Sequence, residues 1–253
     1  MANDFDFSGK SILITGAASG IGKACVRWLT ERGAARLILV DRDEQGLAQL
    51  DLACERADFA GDVADPALWE RIEAEAGPLD HAVINAGIGA GSPLAQTSFE
   101  DWRRVMSVNL DGAFLSLRTA LRLIADGGSV VLTASAIALK AEPATAAYGA
   151  SKAAVIKLAT VAAKEHAARG VRVNAIAPGG VDTPIWDEQP FFQALVKQAG
   201  SRAAAIKAMA ANSHPLGRYA EAGEIAAQIG FLLSDMARNI IGAVLVSDGG
   251  YSL

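Results

Sequence analysis

Ser11-Ile12-Leu13-Ile14-Thr15-Gly16-Ala17-Ala18-Ser19-Gly20-Ile21-Gly22 passes from a short apolar run through a glycine-rich turn into a segment of helical period. An apolar run of this length without polar alternation predicts a strand covered on both faces. The glycines let the backbone turn tightly and approach a pyrophosphate, whose charge a helix N-terminus attracts through its free N–H groups and dipole. The spacing is G-x3-G-x-G, which differs from the G-x-G-x-x-G of ordinary dinucleotide-binding folds. A tight turn needed only for packing is the alternative reading.

Outward from this unit the same rhythm repeats. Strands are predicted at Ser11 to Thr15, Arg36 to Val40, Asp58 to Ala60, His81 to Asn85, Ser129 to Thr133, Val171 to Ala175 and Ala243 to Val246. Helices are predicted near 20–32, 43–52, 65–76, 98–125, 145–169 and 221–233. Asp65 before Pro66 reads as a helix N-cap, and Gly33, Gly77 and Gly170 fall where helices should end. The pattern is that of an α/β chain with one doubly wound parallel sheet of about seven strands and helices on both faces. No repeat or linker divides it, so 1–253 reads as a single domain. From 184 to 215 roughly 30 residues separate a strand from the last long helix, where about 2 to 6 are usual. This insert opens with Trp186, Pro190, Phe191 and Phe192, is predicted helical from Gln193 to Ala211, and reads as a substrate lid.

Composition narrows the function. The 253 residues carry 23 Lys and Arg against 28 Asp and Glu, a formal charge of −5, so no basic excess exists to bind nucleic acid. With 51% hydrophobic residues a large core is available, yet no stretch has the length of a membrane helix. Met1 to Lys10 lacks the pattern of a secretion signal, so a cytoplasmic location is expected. Cys25 and Cys54, with His81, His166 and His214 scattered, predict reduced thiols and no metal.

The chemistry is concentrated at a few positions. Asp41 closes the second strand, where an acid accepts hydrogen bonds from adenosine ribose hydroxyls and repels a 2′-phosphate, favouring NAD over NADP. Arg42 adjoins it, but the glycine turn supplies no second cation for such a phosphate. Tyr148 and Lys152 lie four apart in a helical stretch and share a face. A nearby ammonium favours the phenolate, which would make Tyr148 a proton-transfer group near neutral pH. Ser135, at the end of the fifth strand, is placed to donate a hydrogen bond to a substrate oxygen.

Thr15 to Gly22, Asn85-Ala86-Gly87, Asn109, Ser135, Tyr148, Lys152 and Pro178-Gly179, in this order over nearly the whole chain, resemble the short-chain dehydrogenase/reductase family. The resemblance implies a Rossmann-type fold, a nicotinamide cofactor and a catalytic tetrad of Asn109, Ser135, Tyr148 and Lys152. Tyr148 would be the acid/base and Ser135 would orient the carbonyl or alcohol. Lys152 would hold the nicotinamide ribose and lower the tyrosine pKa, and Asn109 would position a water for proton relay. Gly16, Ser19, Gly20, Ile21 and Gly22 would cradle the pyrophosphate, with Asp41 and Arg42 near the adenosine ribose. Asp62-Val63 resembles the pair that contacts adenine, and Asn85-Ala86-Gly87 the turn beside the adenosine ribose. Pro178-Gly179-Gly180-Val181-Asp182-Thr183 resembles the loop packed on the nicotinamide, with Val181 and Thr183 bonding its carboxamide. The expected activity is NAD-dependent interconversion of a secondary alcohol and a ketone. A 3-oxoacyl carrier-protein reductase and a non-catalytic NAD sensor are the alternatives. The long helices and the C-terminal segment resemble the family's interfaces, so a homotetramer is expected.

Trp186, Phe191 and Phe192, with Ile137, Ala138 and Leu139 beside Ser135, read as an apolar substrate wall. No Arg or Lys occurs between Gly179 and Val196, so a buried anion would lack a partner, and a neutral, hydrophobic or cyclic substrate is expected. Cys25 reads as a small core residue and His214 as a loop residue at the lid's end.

Overall fold

The computed structural model describes residues 5–253; Met1 to Asp4, within the N-terminal stretch read above, lie outside them. Seven strands form one parallel sheet: β1 (Ser11–Thr15), β2 (Arg36–Asp41), β3 (Glu55–Ala60), β4 (Leu79–Ile84), β5 (Ile124–Thr133), β6 (Arg172–Pro178) and β9 (Val244–Ser247). Their order is β3-β2-β1-β4-β5-β6-β9. The short strands β7 (Val181–Asp182) and β8 (Ala220–Glu221) pair separately. Helices are α1 (Gly20–Thr30), α2 (Glu44–Ala48), α3 (Pro66–Glu75), α4 (Phe99–Met106), α5 (Gly112–Leu123), α6 (Ala146–His166), α7 (Pro190–Ala199), α8 (Arg202–Ser213) and α9 (Ala222–Leu233).

The missing polar alternation in the strands has its cause here. In β1, Leu13 packs with Ile38, Trp69, Val130 and Val155 on one face, under α3, α5 and α6. Ile12 and Ile14 point the other way, onto Leu37, Val83, Val26 and Ile229, under α1 and α9. Two residues of opposite direction, both buried, demand apolar side chains at every position. The α1–α9 pair is close: a Cβ at Gly230 would collide with the Trp28 ring.

Local signals behave as read. Asp65 accepts the Ala67 N–H at 3.0 Å with Pro66 opening α3, and Gly33, Gly77 and Gly170 take positive φ past their helices. The main changes are these. β5 opens at Ile124 rather than Ser129, so the helix before it stops at Leu123. The helix expected over 98–125 is α4, a π turn at Ser107–Asp111 and α5, because Gly112 N–H reaches back to Ser107 O. The lid helix expected over 193–211 breaks at Gly200, φ +82°, where Ser201 caps α8 by accepting Ala204 N–H. β3 starts at Glu55 rather than Asp58, since this edge strand tolerates charges and pairs Arg56 with Asp58 at 3.0 Å.

His81 in β4 is buried between Phe7 and Ser129. Ser129 Oγ donates to Leu233 O at 2.8 Å, so the imidazole Nδ1–H donates to Ser129 Oγ, also at 2.8 Å. Burial holds the His81 pKa down to about 4 from an ordinary 6.5, so folding favours the neutral ring. Its contribution is complete above pH 6.5 and is lost as pH falls toward about 4, on the order of 3 kcal/mol in all. Thermal melts across that window should show this loss, and His81→Gln should flatten it. Parallel slopes in the two proteins would remove His81 from the account.

Candidate active site

The strand order reverses between β1 and β4, and the crevice beyond their carboxyl ends is where an open parallel sheet holds a ligand. One hydroxyl sets this edge. Thr15, fully buried, accepts the N–H groups of Asn85 and Ala86 at 2.9 and 3.0 Å, and Asn85 Nδ2 donates to Thr15 O at 3.2 Å. The end of β1 and the turn after β4 are thereby stitched together. Thr15 stood only as a motif boundary in the sequence; its signal was a hydroxyl closing an otherwise apolar strand.

The glycine turn fits a close-approaching group. Gly16 has φ +69°, and a Cβ there would press on Asn85 Nδ2 and Ala86; a Cβ at Gly22 would collide with Gly16 O. Ser19, the exposed extended residue before α1, makes no side-chain cap, which leaves first-turn N–H groups such as those of Ile21 and Gly22 available to an anion. Asp41 accepts Ala18 N–H at 2.9 Å and Asp43 N–H at 3.0 Å, so its carboxylate is held against the same turn. Arg42 is exposed and lies 4.0 Å from Glu188 of the lid. Asp62 is exposed, with Oδ1 accepting Ala64 N–H at 2.9 Å. Val63 is buried against Gly112, and its carbonyl accepts the Trp69 indole N–H at 2.7 Å.

Asn109, Ser135, Tyr148 and Lys152 converge across β5 and α6. Lys152 is 4% exposed, donates to Thr133 O at 2.9 Å, and has its ammonium 5.9 Å from the Tyr148 ring centre. Burial lowers its pKa to about 8 from 10.5. Burial also raises Tyr148 above its ordinary value of 10, and a hydrogen bond from Ser135 opposes that rise. The expected drop of the tyrosine toward neutrality by Lys152 is therefore not what this geometry produces. Desolvation outweighs an ammonium that sits nearly 6 Å from the ring.

Asn109 lies fully buried at the centre of the π turn. Its Oδ1 accepts Ile88 N–H at 2.8 Å, while Nδ2 donates to Ile88 O at 3.0 Å and Ser151 Oγ at 3.2 Å. Both ends of the amide are used on protein, so it holds the chain after Gly87 beside Lys152. A Cβ at Gly87 would sit 3.2 Å from both Asn109 Oδ1 and Lys152 Nζ.

The loop after β6 is anchored along its length. Pro178 pairs with Ser247, and Gly179 N–H donates to Ser247 O at 3.0 Å. Val181 O accepts the Trp186 indole N–H at 2.8 Å, and Thr183 O accepts Arg202 Nη2 at 3.0 Å. Thr183 also lies within 3.4 Å of where a Gly20 Cβ would stand, which brings this loop to the glycine turn.

The expected aromatic wall is not assembled. Phe192 is buried in the lid's own core with Ala205, Ile206, Ala210 and Tyr219, Trp186 stacks on Tyr219 at 5.6 Å, and Phe191 is half exposed. A cavity of about 320 Å³ instead lies between the Ile88–Ser92 chain, Ala144, Ala147 and lid residues Glu188 to Pro190. Cys25 is buried, and burial pushes its thiol up to about 12, which makes it an inert core residue. Among the described residues no cluster of His, Cys, Asp or Glu forms a metal site, and no helix is long and apolar enough to cross a membrane.

Comparison with known proteins finds likeness over nearly the whole chain. A family model described as Enoyl-(Acyl carrier protein) reductase matches residues 16–252. The chain is 38% identical to cis-4-hydroxycyclohexanecarboxylate dehydrogenase of Sinomonas cyclohexanicum, over 97% of this chain and 98% of that protein. It is 40% identical to D-threitol dehydrogenase of Mycolicibacterium smegmatis, over 99% and 96%. The crystal structure of levodione reductase superposes with a TM-score of 0.84 at 34% identity, covering 97% and 98% of the two chains. Identity sustained over whole chains, on a shared fold, makes this protein a member of the short-chain dehydrogenase/reductase family.

Proposed function

We propose that this oxidoreductase interconverts a cyclic secondary alcohol and its ketone with NAD, in the cytoplasm, as a homotetramer. The observation that carries the reading is the buried ammonium of Lys152 on Thr133 O, beside a Tyr148 hydroxyl that is itself bonded to Ser135. A charge so nearly removed from water is costly and accepts at most one of its three donors' worth of relief from Thr133 O. The remaining donors suit ribose hydroxyls.

A nicotinamide cofactor, when bound, supplies the acceptor or donor of hydride. The Gly16–Gly22 turn would hold its pyrophosphate, Asp41 its adenosine ribose, Lys152 its other ribose, and the Pro178–Thr183 loop its nicotinamide end. Ser135 would turn its single O–H from Tyr148 to the substrate oxygen and orient it. Tyr148 Oη takes the hydroxyl proton in oxidation and returns it in reduction. Lys152, charged at neutral pH because its pKa is about 8, would lower the cost of the phenolate that takes this proton. Asn109 fixes the Ile88 backbone and keeps the crevice open beside Lys152.

A cyclic substrate is supported by the ring compounds named for two relatives, one of them a carboxylate, and the cavity carries charges of both signs in Asp101, Arg104 and Glu188. Two free thiols suit a reducing cytoplasm. Phe114 on α5 and Val161 on α6, both exposed, and Val246 on the edge strand β9 support self-association.

Tyr148→Phe should lower turnover at least about 100-fold while dinucleotide binding persists; near-wild-type turnover would sink the assignment. NAD should exceed NADP in kcat/KM by at least about tenfold, and Asp41→Ala should narrow the gap mainly through lost NAD affinity. A preference for NADP would instead give Arg42 the deciding role. In a screen of secondary alcohols, cyclic compounds should outperform open-chain polyols and open-chain hydroxy acids by at least about tenfold in kcat/KM. The reverse ranking would discard the substrate class and leave the chemistry intact.

A further inference from the structure

The chain leaving the lid passes against the loop after β6, and His214 joins the two. Its Nε2 accepts Gly180 N–H at 2.9 Å. Its Nδ1 lies 2.7 Å from Ser213 Oγ, and that hydroxyl donates to Met209 O at 2.8 Å. The serine proton is thus committed, so Nδ1 carries the hydrogen. Donation runs one way: Gly180 N–H to Nε2, Nδ1–H to Ser213, Ser213 O–H to Met209. Only the neutral imidazole in this tautomer satisfies all three bonds. The ring is 7% exposed, edge-on to Tyr219 at 4.8 Å and stacked on Tyr251 at 5.2 Å.

Gly180 depends on that segment. A Cβ there would collide with the Tyr219 ring, and Gly180 O accepts Ala220 N–H at 2.9 Å. Both of its backbone groups are therefore held by residues 214–220. The charged groups around the ring are accounted for. Asp248 favours the protonated form, but its carboxylate accepts the N–H groups of Gly250 and Ser252. Lys140 opposes protonation, donating to Tyr251 O and lying over the Tyr251 ring at 4.3 Å. The Tyr251 hydroxyl donates to Glu142, and Arg218 is paired with Glu224. Burial is the largest effect and holds the His214 pKa below its ordinary 6.5.

We propose that His214 is a positioning residue for the Pro178–Thr183 loop: its neutral imidazole fixes Gly180, and a proton on Nε2 frees the loop and weakens binding of the nicotinamide half of the dinucleotide. The inference rests on the reading above that this loop meets the nicotinamide. Protonation sets N–H against N–H at the 2.9 Å contact, so either the ring or the loop must withdraw.

The test compares NADH with ADP-ribose, which lacks the nicotinamide, by binding titrations of the full protein at about pH 8 and about pH 5.5. Wild-type Kd for NADH should rise at least about threefold at the lower pH while ADP-ribose is unaffected. His214→Phe keeps the ring against Tyr219 and Tyr251 but has no acceptor, so NADH should bind at least about threefold more weakly at both pH values. His214→Gln offers a side-chain oxygen that does not titrate and should bind NADH tightly and without the pH effect. Retention of the acid weakening in His214→Gln, wild-type NADH affinity in His214→Phe, or equal changes for ADP-ribose would overturn the proposal. Failure of wild type to bind either ligand would overturn the dinucleotide reading beneath it.

Discussion

A lysine ammonium held out of water at the end of a parallel sheet is the constraint to which the rest of the site answers. Lys152 reaches Thr133 O because Thr133 ends β5, and the last carbonyls of a parallel strand lack a following ladder partner. That arrangement requires α6 to lie close across β5, which the small residues Ala159, Ala162 and Ala163 permit by packing flush on Val130 and Val173. It also requires a glycine at 87, where any side chain would press on the ammonium. Core packing, strand termination and charge placement are thus one solution rather than three.

The neighbouring groups follow the same logic of full use. The Thr15 hydroxyl serves two N–H groups, and the Asn109 amide serves both backbone groups of Ile88. Polar side chains here are mostly spent on holding loops, and the Lys152 ammonium, with one bond to Thr133 O, is the exception. Such rigid support is what reactive groups need if their geometry is to survive thermal motion.

The parallel sheet was legible because burial on both faces removes polar residues from strands, and caps such as Asp65 were legible because they act within one turn. The π turn was not, since it differs from an α-helix by one residue in hydrogen-bond register and no residue type in Ser107–Asp111 encodes that. The break at Gly200-Ser201 was present in the residues but masked by Ala-rich helix on both sides. Phe192 looked available to substrate because its partners Ala205, Ile206 and Ala210 lie a helix away. His214 looked idle because its partner Gly180 is 34 residues earlier, and spacing in a chain carries no record of such contacts.

The contact of Trp28 on Gly230 has a mechanical meaning. It locks α1, which begins at the glycine turn, to α9, which begins where the lid segment ends. The far end of the insert therefore belongs to the same block as the helix that leaves the glycine turn. A load on the chain between Thr183 and Glu221 meets that block at its far end, and at its near end meets Gly20 through Thr183. A tryptophan ring resting on a residue with no side chain thus ties the start of the glycine turn's helix and the end of the long insert into one frame.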